Sequence, residues 1–109
     1  MHGYSEAITF SDVPYEEAFK IVELMSDHSA LAFNVPLTHP GYRFHPVSYI
    51  LCEKDKCIPP EVQRDLISLL EEESKIKPVI YKLDSGHCPN VSAVESLAEA
   101  IRKAAGEQL

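Results

Sequence analysis

Hydrophobic positions first fall into a regular rhythm after Pro14, where Tyr15, Ala18, Phe19, Val22 and Met25 share one face at the spacing of an amphipathic helix. Pro14 suits a first-turn position, and Glu16 and Glu17 sit beside the positive end of the helix dipole, so the pattern predicts a helix over 14–25. From Ser26 to His45 the rhythm fails: 30–33 allows one short helical turn, and Pro36, Pro40, Gly41 and Pro46 interrupt anything longer. The chain therefore divides near Pro46 into a loop-rich first half and a more regular second half. There 47–52 (Val-Ser-Tyr-Ile-Leu-Cys) is a short run of strand formers without strict alternation, the mark of a strand buried on both faces. Pro60 opens a helix with Val62, Leu66, Leu69 and Leu70 on one face, and Glu71, Glu72 and Glu73 read as its solvated end. After Pro78, residues 79–83 (Val-Ile-Tyr-Lys-Leu) form a second strand candidate. Ser92 and Glu95 then stand at capping-box spacing ahead of a stripe of Val94, Leu97, Ala98, Ile101 and Ala105, with Gly106 as the stop.

Strand, helix, strand, helix with short connections is the signature of a crossover in a parallel sheet, so the expected class is α/β. In such sheets ligands bind outside the carboxyl ends of the strands. The loops there carry Glu53-Lys-Asp55-Lys56 and Asp84-Ser-Gly-His87. Asp55 and His87 thus emerge at one edge, and strands one or two places apart would separate them by roughly 5 or 10 Å. A carboxylate on one imidazole nitrogen fixes the tautomer, which frees the other nitrogen to take a proton from a nucleophile. The acid preceding the histidine also matches the nucleophile, acid, histidine order of one hydrolase class. Against this stands the plain alternative that both residues only shape turns.

Composition narrows the remaining classes. With 109 residues, 45% hydrophobic and 25% charged, one small domain with a core is expected rather than two domains or a disordered chain. A net charge of −7 argues against nucleic acid and against anionic membrane surfaces. No apolar run approaches the roughly 20 residues of a membrane span, and no signal-like segment opens the chain. Three cysteines, Cys52, Cys57 and Cys88, do not make a disulfide framework, so a reducing, cytoplasmic setting is the expectation. The same cysteines with His87 are the competing metal reading, but a Cys-x4-Cys spacing followed by adjacent His-Cys is poor ligand geometry. No metal or other cofactor is therefore expected. His28, His39 and His45 read as loop residues, and His2 is terminal.

Two separated turns carry a resemblance. Tyr49-Ile-Leu-Cys-Glu-Lys-Asp55-Lys-Cys-Ile-Pro59-Pro-Glu-Val-Gln63-Arg, followed by Leu83-Asp-Ser-Gly86-His87-Cys-Pro89-Asn-Val-Ser92, resembles the C-terminal part of α/β-hydrolases, of the plant methylesterase and hydroxynitrile-lyase type and its fungal relatives. The likeness is clear over roughly residues 47–106. It is weaker upstream, where Phe10-Ser-Asp-Val-Pro14 and the next helix look like the end of the family's cap. The resemblance implies a fold made of the C-terminal portion of an α/β-hydrolase parallel sheet preceded by a cap-like helix. It implies residues 1–46 as a remnant of cap and linker and 47–109 as the βαβα part of the hydrolase domain. By the same resemblance, Asp55 is the triad acid and His87 the triad histidine. Cys88 stands where lyases of this group carry a lysine, which favours the ester-hydrolysing branch.

One departure is decisive. The family's Gly-x-Ser-x-Gly elbow is absent, and Gly3, Gly41, Gly86 and Gly106 cannot form it. Ser48 and Ser85 are expected near the right edge but outside any strand-to-helix nucleophile turn, Ser85 being better suited to placing His87. The oxyanion-hole loop is also missing. The expectation is a partial hydrolase, inactive alone, that meets a small ester-like substrate only when completed by the missing half. A truncated product, a fragment and a degenerate copy fit equally. The alternative from another class is a non-catalytic module pairing through an open sheet edge. With only two strands to cover two amphipathic helices, the helix over 14–25 is expected to fold back loosely, and the chain to self-associate or stay partly molten.

Overall fold

The computed structural model describes residues 5–109; His2 and Gly3 lie outside them. A single π-helical turn, Ser5–Thr9, precedes α1, Tyr15–Glu23. The helix starts one residue later than expected because Pro14 is its N-cap, and it stops at Leu24 before the predicted end. Only part of its apolar face is covered: Ala18 and Val22 are buried with Phe10, while Tyr15 and Met25 are exposed. The segment from Leu24 to Pro46 is open chain with two 3-10 turns, Ala30–Asn34 and Gly41–Arg43.

β1, Ser48–Cys52, and β2, Val79–Leu83, pair in parallel with Cys52 opposite Leu83, joined by α2, Pro60–Glu73. Parallel neighbours need a long crossover, and α2 supplies it. Pro59 caps α2 and Pro60 takes the first-turn position where its missing N–H costs nothing. At the other end Glu73 pairs with Arg43, and the Ser74 hydroxyl donates to the Tyr42 carbonyl, 2.9 Å, tying the Gly41–Arg43 turn to the helix. The Glu71–Glu73 run is therefore anchored at Glu73 rather than wholly solvated.

A short helix, α3 (Pro89–Ser92), and α4, Val94–Ala104, complete the chain. The capping box does not form. Pro89 starts α3 early, so Ser92 falls inside it and its hydroxyl bonds back to the Cys88 carbonyl at 3.3 Å, leaving Ala93 as the cap of α4. Gly106 stops α4 as expected: with φ 94° it lets its own N–H reach the Lys103 carbonyl and the Glu107 N–H reach the Arg102 carbonyl, a Schellman closure.

The helical stripes of the second half have little to cover. On α4 the residue that is buried is Ala100, whereas Val94 and Ile101 are each more than half exposed. On α2 Val62, Leu66 and Leu69 are all over 40% exposed, and the buried position is Gln63. The reason is the width of the sheet. Two strands offer a platform roughly 5 Å across, too narrow for a helix face on either side. The radius of gyration, 15.7 Å, exceeds the roughly 13 Å of a compact domain of this length.

Contrary to the expected loose docking, the best-packed apolar cluster lies in the first half. Phe10, Ala18 and Val22 close on one another, with Val13, Ile21, Cys88 and Val91 against them. Residues 10–22 thus cover the segment that follows His87.

Among the described residues, no third strand pairs with either sheet edge. The Val79 N–H donates to Val47 and the Glu53 N–H to Leu83, so the odd-numbered residues of β1 face β2. The N–H and C=O of Ser48 and Ile50 consequently point to the other side, where no third strand joins among the described residues. Such an edge beside exposed apolar helix faces promotes association. The purified chain is expected to show a sedimentation mass that rises with concentration; one monomeric species at every concentration would contradict this.

Candidate active site

Strands end where their backbone hydrogen-bond ladder loses its partner, and here the ladder runs on into both loops. The Glu53 N–H reaches the Leu83 carbonyl and the Lys54 N–H reaches the Ser85 carbonyl, each at 2.9 Å. The two loops therefore leave the sheet side by side. In the first, Asp55 turns inward and is only 7% exposed. Its Oδ1 accepts the N–H groups of Cys57 and Ile58 at 2.8 and 2.9 Å, an Asx-type turn that shapes the loop ahead of Pro59.

The second loop delivers His87. Its Nδ1 lies 2.9 Å from Asp55 Oδ2, so the two residues chosen from the sequence meet directly. Because Oδ2 is an acceptor, Nδ1 carries the proton in this contact and Nε2 is left as the basic nitrogen. The imidazole is about 29% exposed while the Asp55 side chain is 5% exposed: one nitrogen is held, and the ring's outer side is accessible.

Three further groups set this arrangement, and two of them carry no sequence signal of their role. Gln63, 3% exposed, spans the first loop: its Oε1 accepts the Cys52 N–H at 3.0 Å, and its Nε2 donates to the Cys52 carbonyl at 2.9 Å and the Ile58 carbonyl at 2.8 Å. A side-chain amide thereby replaces a neighbouring strand at the end of β1. Asp12 is the second; its Oδ2 accepts the Gly86 N–H at 2.6 Å across 74 residues. Only tertiary contact reveals it. Ser85, expected to help place His87, is fully buried beside it, with its hydroxyl donating to the Gly86 carbonyl at 3.2 Å. The exposed Lys54–Asp84 pair at 2.9 Å adds little at a solvated surface.

Ser48 is not near this edge. It pairs with Val79 at the start of β1, four residues and roughly 13 Å from the carboxyl end, which removes it from the site. Among the cysteines, Cys57 is exposed and Cys52 and Cys88 are covered. Burial is the main cause that pushes both covered thiols above their ordinary range, reinforced by the Asp55 and Asp12 charges and, at Cys52, opposed by the Ser85 hydroxyl. Neither is an activated nucleophile. No group of three or more His, Cys, Asp or Glu side chains suited to a metal ion occurs among the described residues. A concavity of about 260 Å³ lies between β2 and α4, lined by Tyr81, Leu83, Ser96 and Ala100 among others and away from His87.

Comparison with known proteins agrees with a hydrolase connection. The chain is 38% identical over 106 residues to a protein of Phoma sp. (strain ATCC 20986 / MF5453) named "Probable hydrolase R7", a match that takes in 93% of this chain and 43% of that relative. The chain thus spans under half the length of the relative it matches. No family model matches it.

Two outcomes test this construction. Gln63→Ala strips three hydrogen bonds at about 1 kcal/mol each, and is expected to lower unfolding stability by about 3 kcal/mol in urea titration; a loss within a few tenths would deny it the strand-like role. Burial works to raise the pKa of Asp12, but the Gly86 amide, the Ser92 hydroxyl, its own backbone and Lys54 outweigh it, so the carboxyl sits below its ordinary value. A lowered folded pKa means that its stabilisation is complete above the unfolded value and disappears as pH falls through the folded one. Asp12→Asn should therefore lose less stability than the parent between about pH 4 and lower values; parallel curves would sink this assignment.

Proposed function

We propose that the chain contributes the acid and the base of a serine-hydrolase triad within an α/β-hydrolase arrangement, acting on carboxylic esters. The nucleophile and oxyanion donors then come from residues outside these 109. The observation that carries the proposal is the Asp55–His87 contact, with Nδ1 bound at 2.9 Å and the His87 side chain 29% exposed. In the proposed chemistry Nε2 takes the proton of a serine hydroxyl as its oxygen attacks the ester carbonyl, and Asp55 stabilises the imidazolium. The imidazolium next protonates the departing alcohol, and a water activated the same way releases the acid. The word "hydrolase" in the relative's name supports hydrolysis as the reaction class.

The second reading, a non-catalytic interaction module, draws on the open edge at Ser48 and Ile50 and on the uncovered faces of α2 and α4. It differs in predicting binding without turnover.

The isolated chain is expected not to release a chromogenic alcohol from activated esters, because an acid and base without nucleophile and oxyanion hole have little to act on. Joined to the part of the relative outside the match, it is expected to hydrolyse them, with His87→Ala lowering kcat by about a thousandfold or more. Turnover by the isolated chain that His87→Ala abolishes would overturn the division of roles. Failure of the joined protein to turn over, while it still assembles, would favour the interaction module.

A further inference from the structure

We propose that Asp12 is a positioning residue for His87: it fixes the imidazole by holding the backbone immediately before it. The inference rests on His87 as the base and adds a role for the first half of the chain.

The side chain of His87 has one polar anchor, Asp55. One hydrogen bond leaves a ring free to swing unless its backbone is held. The residues around it in sequence are all held by the same distant segment. Before it, the Gly86 N–H donates to Asp12 at 2.6 Å. After it, Cys88 and Val91 pack on the Phe10, Ala18 and Val22 cluster. Residues 10–22 therefore grip the histidine turn on both sides, by a charged acceptor upstream and by apolar contact downstream.

Gly86 is built for that grip. Its φ is not in the left-handed region, since Gly106 is the positive-φ glycine among the described residues. What requires glycine is space: a Cβ at 86 would stand 2.5 Å from Asp12 Oδ1 and 2.8 Å from its Cγ. Any side chain there displaces the carboxylate from the amide. The Ser92 hydroxyl and the Lys54 charge act on the same carboxylate and favour its ionised form, which makes the Gly86 hydrogen bond charge-assisted. The loops after β1 and β2 and the turn before α1 thus converge on one group.

A residue that merely fastens α1 to the rest would act on stability alone; a positioning residue acts on the imidazole. The test is the imidazole nitrogen NMR signature of His87 in the 109-residue chain. The parent is expected to show the single Nδ1–H tautomer. Asp12→Ala and Gly86→Ala are each expected to give a mixture of tautomers, and the double variant no more than either single one, because both remove the same contact. Asp12→Asn keeps an acceptor oxygen and is expected to restore most of the single tautomer. Val22→Ala loosens the same docking without touching the hydrogen bond, and is expected to lower stability while leaving the tautomer unchanged. An unchanged tautomer in Asp12→Ala, additive effects in the double variant, or an equal shift in Val22→Ala would each overturn the proposal.

In the joined protein described above, Asp12→Ala is expected to lower kcat by about 10- to 100-fold with KM little altered. A larger effect on KM than on kcat would count against positioning. If the joined protein is inactive, the hydrolase reading fails while the nitrogen spectra still decide the role of Asp12.

Discussion

The register of a ladder only five residues long governs the molecule. With Cys52 set opposite Leu83, the next residues of both strands continue to bond across the gap, through Glu53 to Leu83 and Lys54 to Ser85. Asp55 and His87 then stand close enough for a single hydrogen bond. A one-residue slip would turn every side chain of one strand to the opposite face and carry the loops apart. Gln63 guards this register by occupying both backbone groups of Cys52 that β2 does not use. The amide behaves as one residue of a third strand, and it ends the open edge where the site begins.

The parts of this fold that were legible in the sequence are those written in local pattern. β-branched and aromatic runs marked both strands, Pro14 and Pro60 marked the starts of α1 and α2, and the rule that parallel sheets gather their loops at one end placed Asp55 and His87 at the same edge. The capping box misled because spacing alone does not say where a helix begins: Pro89 opens a turn three residues ahead of Ser92 and consumes it. The stripes on α2 and α4 mark helices, as read, but with two strands to lie on they stay uncovered, as the strand count led one to expect. Their periodicity is real, but a face is buried only if something lies across from it, and Val62, Leu66, Val94 and Ile101 face no neighbouring strand.

Asp12 and the core role of Gln63 had no comparable signal. Asp12 lies before Val13-Pro14 and Gln63 between Val62 and Arg64, and neither setting points to a partner. Local pattern speaks only of near neighbours in sequence, whereas the partners lie 74 and 11 residues away. Gly86 was equally silent, because a glycine needed for close approach looks the same as one needed for a positive φ.

The geometry of the acid also explains how the pair keeps its direction with no nucleophile-elbow serine beside it. Burying a carboxylate to 7% exposure is costly unless its lone pairs are met. Two backbone amides meet one oxygen, and that same pair of bonds builds the turn leading to α2. The second oxygen is then left pointing across to the loop after β2, where the imidazole satisfies it. Asp55 is thus oriented by the needs of the loop, before any catalytic demand. The same side chain that shapes the turn selects the nitrogen of His87 that is held, and by doing so leaves Nε2 as the basic one.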